Sequence, residues 1–145
     1  MALQPCAGAN NRSGQRRILL VEDEPFVREA TRSILQNAGF EVLPAEDARE
    51  AMKLYEECGQ RVDLVMTDMV LPGRTGQQLG QDVRKRSPEV AVLVTSGYGE
   101  AEYETEVPEA GTYFLAKPYS RRALVEKIQT ILERGLKQRA TTQAS

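Results

Sequence analysis

Residues 18–25 read ILLVEDEP: four apolar residues that stop abruptly on three acids and a proline. A short, continuous apolar run is the mark of a strand buried on both faces, as in a parallel sheet. Pro25 suits the first turn of a helix, where its missing N–H leaves no bond unmade. The stretch is a strand, an acidic turn and a helix start.

The same unit recurs along the chain. Phe26, Val27, Ala30, Ile34 and Leu35 follow at helical spacing, and Gly39 is a C-terminal stop. Phe40 to Leu43 is the second strand. Asp47 with Glu50 makes a capping-box-like start for a second helix carrying Ala48, Ala51, Met52, Leu54 and Tyr55. Val62 to Thr67 is the third strand and ends at Asp68. Pro72-Gly73 and Gly76 mark a loop, and Thr75 caps a third helix with Leu79 and Val83 on its inner side. Val90 to Val94 is the fourth strand, ending in Thr95-Ser96-Gly97. Residues 100–109 hold five glutamates and Pro108, and read as a fourth helix with few apolar positions. Tyr113 to Ala116 is the fifth strand, ending at Lys117-Pro118. Ser120 caps a last helix striped by Leu124, Ile128, Ile131 and Leu132, with Gly135 as its stop. Five strand–helix repeats predict an α/β fold: one doubly wound, five-stranded parallel sheet with helices on both faces.

Composition narrows the chemistry. The 145 residues, 41% hydrophobic and 28% charged, suit one soluble domain. There is no histidine and no tryptophan. This excludes Ser-His-Asp and Cys-His catalysis, histidine-ligated zinc, and a phosphohistidine borne by this chain. Two widely spaced cysteines, Cys6 and Cys58, make neither a disulfide framework nor a metal site. Arg12, Arg16, Arg17, Arg134, Lys137 and Arg139 sit at the ends, so the body between them is acidic. An acidic body argues against direct nucleic-acid binding. The longest apolar run, Val90 to Val94, is far below the roughly 20 residues that span a bilayer. The N-terminus has no signal-peptide core, so the expected location is cytoplasmic.

In a parallel sheet of this kind, ligands bind beyond the carboxyl ends of the strands. Those ends offer Glu22 and Asp23, then Asp68, Thr95 and Lys117. No Gly-rich phosphate loop accompanies them, which disfavours a nucleotide. Three carboxylates suit a hard cation such as Mg²⁺. Lys117 adds a point cation to these acids, and Thr95 a hydroxyl. Asp63 sits at the wrong end of the third strand and reads as a turn or cap residue. Ser96 competes with Thr95 as the hydroxyl.

Taken in order, ILLVEDEP at 18–25, VMTDMVLPGRTG at 65–76, VLVTSGYG at 92–99 and FLAKPYS at 114–120 resemble the receiver domain of two-component response regulators. The resemblance covers about residues 16–135. It implies a flavodoxin-like sheet of strand order 2-1-3-4-5. It implies that Asp68 is the phospho-acceptor and that Glu22, Asp23, Asp68 and the backbone carbonyl of Val70 hold Mg²⁺. It further implies Thr95 as switch hydroxyl, Phe114 as the aromatic switch position, Lys117 as the phosphate-binding lysine, and a cis Lys117–Pro118 peptide. Glu22 stands where Asp is commoner in the family, and Phe114 where Tyr is frequent.

The implied function is a phospho-acceptor in a phosphorelay. Its donor is a histidine kinase or histidine phosphotransfer protein. Its output is a downstream protein on the face built by the fourth helix, fifth strand and last helix. No membrane contact of its own is expected. As an enzyme it would do no more than phosphorylate and dephosphorylate itself. Two alternatives are a degenerate receiver that binds proteins without phosphate, and a hydrolase of external phosphorylated substrates. The second lacks an acid two residues after Asp68, where Val70 stands. Residues 1–15 read as a disordered leader or linker, 16–135 as the receiver, and 136–145 as a flexible tail. TSGYG at 95–99, the acidic fourth helix and the featureless leader are similar to receivers excised from hybrid sensor kinases, the cytoplasmic part of a membrane-bound sensor; a stand-alone receiver is the alternative.

Overall fold

The computed structural model describes residues 15–58, 61–97 and 111–144. Along the chain lie β1 (Arg17–Val21), α1 (Pro25–Asn37), β2 (Glu41–Ala45), α2 (Ala48–Glu57), β3 (Leu64–Asp68), β4 (Val70–Leu71), β5 (Arg74–Thr75), α3 (Gly76–Arg86), β6 (Ala91–Ser96), β7 (Thr112–Ala116) and α4 (Arg121–Ala144). β1, β2, β3, β6 and β7 form one parallel sheet in the order β2-β1-β3-β6-β7. With the short β4–β5 hairpin set aside, this is the expected order 2-1-3-4-5.

β1 and β3 are buried throughout, because they lie inside the sheet with helices on both sides. Alternate side chains feed two cores. Leu19, Val21, Val65, Val92 and Val94 meet Ala51, Tyr55, Leu79 and Val83 of α2 and α3. Ile18, Leu20, Met66 and Leu93 meet Leu35, Leu124, Ile128 and Ile131 of α1 and α4. The Tyr55 hydroxyl is buried in the first core against Ser87 Oγ, so its polar end is satisfied.

Local chemistry starts each helix. Asp47 accepts from the Glu50 N–H, and Glu50 reaches back to the Glu46 N–H, one residue short of a reciprocal box. Thr75 and Gln78 form the full capping box at α3. Glu24 caps α1, with Pro25 in its first turn.

Several details differ from the sequence reading. Phe26 is 85% exposed, and Val27 and Ala30 are exposed too; α1 buries Thr31 and Leu35 instead. The first turn of α1 stands beyond the sheet's end, where helical spacing has no core beneath it. Around Pro72-Gly73, where a loop is expected, residues 70–75 form the antiparallel β4–β5 ladder, turned by Gly73 at φ 83°, and Gly76 begins α3. α4 does not stop at Gly135 but runs to Ala144. One mid-helix glycine costs only about 1 kcal/mol against alanine, and Leu136 to Ala140 are good helix formers. The tail read as loose is therefore helical to that point. Cys58, buried at the end of α2, is not a free thiol. The fourth helix expected at 100–109 and nearly all of the leader at 1–15 lie outside the described residues.

Candidate functional site

The carboxyl ends of β1, β3, β6 and β7 converge on Asp68. β3 and β6 run in register with Asp68 opposite Thr95, which sets both side chains on one face of the sheet. Thr95 Oγ1 donates to Asp68 Oδ1 at 2.9 Å. Ser96, the competing hydroxyl, is the next residue along and so points to the other face. The pairing continues past the strands: the Met69 N–H meets the Thr95 carbonyl at 2.8 Å, and the Lys117 N–H meets the Ser96 carbonyl at 2.7 Å. That last bond holds Lys117 at the sheet's edge, and its Nζ donates to Asp68 Oδ1 at 2.7 Å. The Lys117–Pro118 peptide is cis, as the resemblance implies.

Glu22 and Asp23 follow β1. Glu22 is 6% exposed and Asp68 9%, while Asp23 is exposed. One carboxylate oxygen from each of Glu22, Asp23 and Asp68 lies within 4.8 Å of the others, close enough to share a cation. The donor set is all oxygen and mostly charged, which fits Mg²⁺. Glu22 Oε2 accepts from the Glu24 N–H at 3.1 Å, and Glu22 Oε1 lies 3.7 Å from Lys117 Nζ.

The electrostatics follow from crowding. Burial pushes the Glu22 carboxyl up to about 7, and the hydrogen bond and charge it shares with Asp68 push the same way. The Glu24 N–H and Lys117 oppose this. Lys117 is half-buried, which works against its charge. Its bond to Asp68 and the two facing carboxylates outweigh that, so it holds its proton more tightly than an ordinary lysine.

α3 abuts the acceptor from below. The Gly76 N–H donates to the Met69 carbonyl at 2.8 Å. A Cβ on Gly76 would overlap the Asp68 carbonyl oxygen and lie 2.9 Å from Thr67 Cγ2. Only glycine permits that approach.

The remaining sequence candidates fall outside this cluster. Val70 begins the β4–β5 hairpin with its side chain 52% exposed. Phe114 is in register with Val94, not Thr95, and packs half-buried against the α2–α3 core. Asp63, read as a turn or cap residue, lies at the sheet's opposite end, where its Oδ2 accepts from the Arg17 N–H at 2.8 Å. Sequence reasoning missed Arg28, whose Nη1 donates to the Glu22 carbonyl at 2.8 Å. No pattern marks such a bond, since its acceptor is backbone.

A CheY-like sheet with an acid–hydroxyl–lysine cluster at its carboxyl edge defines a receiver domain. The family model for the response regulator receiver domain matches residues 18–129, and the chain belongs to that family. The sensor kinase CckA of Brucella abortus is 35% identical over 127 residues, which are 87% of this chain and 13% of the kinase. The transcriptional regulatory protein AruR of Pseudomonas aeruginosa is 32% identical, over 81% of this chain and 50% of that protein. The chain thus spans half or less of these relatives. Among solved structures, a CheY-like receiver from Methanospirillum hungatei superposes with a TM-score of 0.77 at 30% identity, covering 86% of this chain and 98% of that one. The receiver of the hybrid histidine kinase CckA does so with a TM-score of 0.67 at 34% identity, covering 80% and 98%. Among the described residues, no helix is long and apolar enough to cross a membrane.

Proposed function

We propose that this chain is the phospho-acceptor module of a two-component phosphorelay and that Asp68 carries the phosphoryl group. One observation carries the reading. A buried carboxylate at a central strand end is held by a hydroxyl at 2.9 Å and an ammonium at 2.7 Å, beside two further carboxylates.

The donor is a histidine kinase or histidine phosphotransfer protein, as membership of the receiver family implies, and these 145 residues hold no histidine that could serve instead. An Asp68 carboxylate oxygen attacks phosphorus. The P–N bond to the donor imidazole breaks, its electron pair returns to the ring, and an acyl phosphate remains on Asp68. Lys117 and Thr95 already contact the reacting oxygen's carboxylate and are placed to take phosphoryl oxygens as negative charge redistributes. Glu22, Asp23, Asp68 and the Val70 carbonyl would hold Mg²⁺, which supplies positive charge to offset repulsion between the acids and the phosphoryl group. Movement of Thr95 toward the phosphoryl group and a coupled shift of Phe114 would alter the face formed by β7 and α4, where a downstream protein reads the state. The chain acts on itself alone and works in the cytoplasm. Its likeness to the CckA receiver supports a receiver of hybrid-kinase type.

The test is intact-protein mass spectrometry after incubation with Mg²⁺ and acetyl phosphate. A gain of one phosphoryl mass that Asp68→Asn abolishes is expected. No gain in the unaltered protein, or a gain that survives the substitution, refutes the proposal. Phosphotransfer from purified kinases of the host then identifies the donor.

A further inference from the structure

The acidic turn after β1 must hold two carboxylates beside a third, an arrangement that like-charge repulsion opposes. Its backbone is tied down at each exit. The Glu22 N–H extends the sheet to the Ala45 carbonyl at 3.0 Å. The Glu22 side chain takes the Glu24 N–H at 3.1 Å. The Glu24 carbonyl accepts the Arg28 N–H at 2.8 Å as α1 begins. The Glu22 carbonyl receives Arg28 Nη1 at 2.8 Å, from a side chain six residues on and half-buried. Arg28 spends that donor on a backbone carbonyl and not on a carboxylate. An arginine forked onto a carboxylate would compete with a cation for the same oxygens. On the carbonyl it fixes the turn and leaves the oxygens open.

We infer that Arg28 is a positioning residue for divalent-cation binding: its bond to the Glu22 carbonyl sets the backbone from which Glu22 and Asp23 reach the cation. This rests on the metal reading above and adds a residue to it. Charge and positioning make opposite demands. If Arg28 acted only through its charge, removing it would relieve repulsion and tighten Mg²⁺ binding. If it positions the turn, removing it weakens binding, because partners behind metal ligands are commonly worth about tenfold or more in affinity.

The test is calorimetric titration of Mg²⁺ into the full, unphosphorylated chain, alongside thermal midpoints in EDTA. Arg28→Met keeps the aliphatic stem without the donor, and Arg28→Lys keeps charge and a donor on a shorter reach. The expected result is about a tenfold loss of Mg²⁺ affinity in Arg28→Met, a partial recovery in Arg28→Lys, and folded protein in both by the EDTA midpoints. Unchanged or tighter binding in Arg28→Met overturns the inference while leaving the phospho-acceptor reading standing. Should Arg28→Met fail to fold, Arg28→Lys decides: wild-type affinity there overturns positioning through guanidinium geometry, and a several-fold loss supports it. A wild-type chain that binds no Mg²⁺ overturns this inference and the metal assignment together.

Discussion

Glu22→Gln should stabilise the metal-free protein at alkaline pH and do nothing for it in acid. Burial and the neighbouring Asp68 carry the Glu22 carboxyl from 4.5 up to about 7. The folded state therefore keeps a proton that the unfolded chain releases. Stability contributed by this group is full below about 4.5, declines as pH rises through the window between the two values, and is lost above about 7. At about 1.4 kcal/mol per pH unit, holding the charge at pH 8 costs the fold up to about 3 kcal/mol. For a domain of this size each kcal/mol moves the thermal midpoint by about 4 °C, so the midpoint difference should approach about 10 °C. Glutamine cannot titrate, yet its side-chain oxygen can still accept the Glu24 N–H. The assay is thermal unfolding followed by circular dichroism in EDTA from pH 4.5 to pH 8, read as variant minus wild type so that other carboxylates cancel. The difference should be near zero at the acid end and largest at pH 8, and Mg²⁺ should raise the wild-type midpoint more than the variant's. A difference that is flat with pH, or a variant less stable at pH 8, refutes the reasoning.

Two further substitutions probe the same site. Lys117→Ala removes the ammonium on Asp68 Oδ1 and should slow acetyl-phosphate labelling about 100-fold by time-resolved mass spectrometry, with Mg²⁺ binding retained. Gly76→Ala places a methyl group against the Asp68 carbonyl and should cost about 2–3 kcal/mol in urea unfolding, because backbone on both sides must yield.

The sheet was legible because each strand is a short apolar run that ends on a chemically distinct residue. Glu22, Asp23, Asp68 and Lys117 could be named from that alone, and the structure brings them together with Thr95. Thr95 needed more: adjacent hydroxyls look alike in a sequence, the resemblance favoured Thr95 over Ser96, and the register of β3 on β6 shows that Thr95 faces the acid. Phe26 and Val27 were misread as core because spacing reports which side of a helix a residue occupies, not how far the sheet beneath it extends. Gly135 was misread as a stop because glycine permits a C-cap without requiring one. Gly76 read as a loop glycine, and its closeness to the Asp68 carbonyl is a tertiary fact that no local pattern carries. The same holds for Arg28, whose partner is a carbonyl.

The in-register pairing of Asp68 with Thr95 makes the sheet a ruler graduated in single residues. A strand inverts its faces with every residue of slip. One residue inserted between Ala91 and Thr95, or one deleted between Leu64 and Asp68, would turn the hydroxyl or the carboxylate into the opposite core while the strand itself could still pair. Length variation in this lineage should therefore collect in the turns at the amino ends of the strands, and the segments from Leu64 to Asp68 and from Ala91 to Ser96 should keep their lengths even where their apolar residues interchange freely.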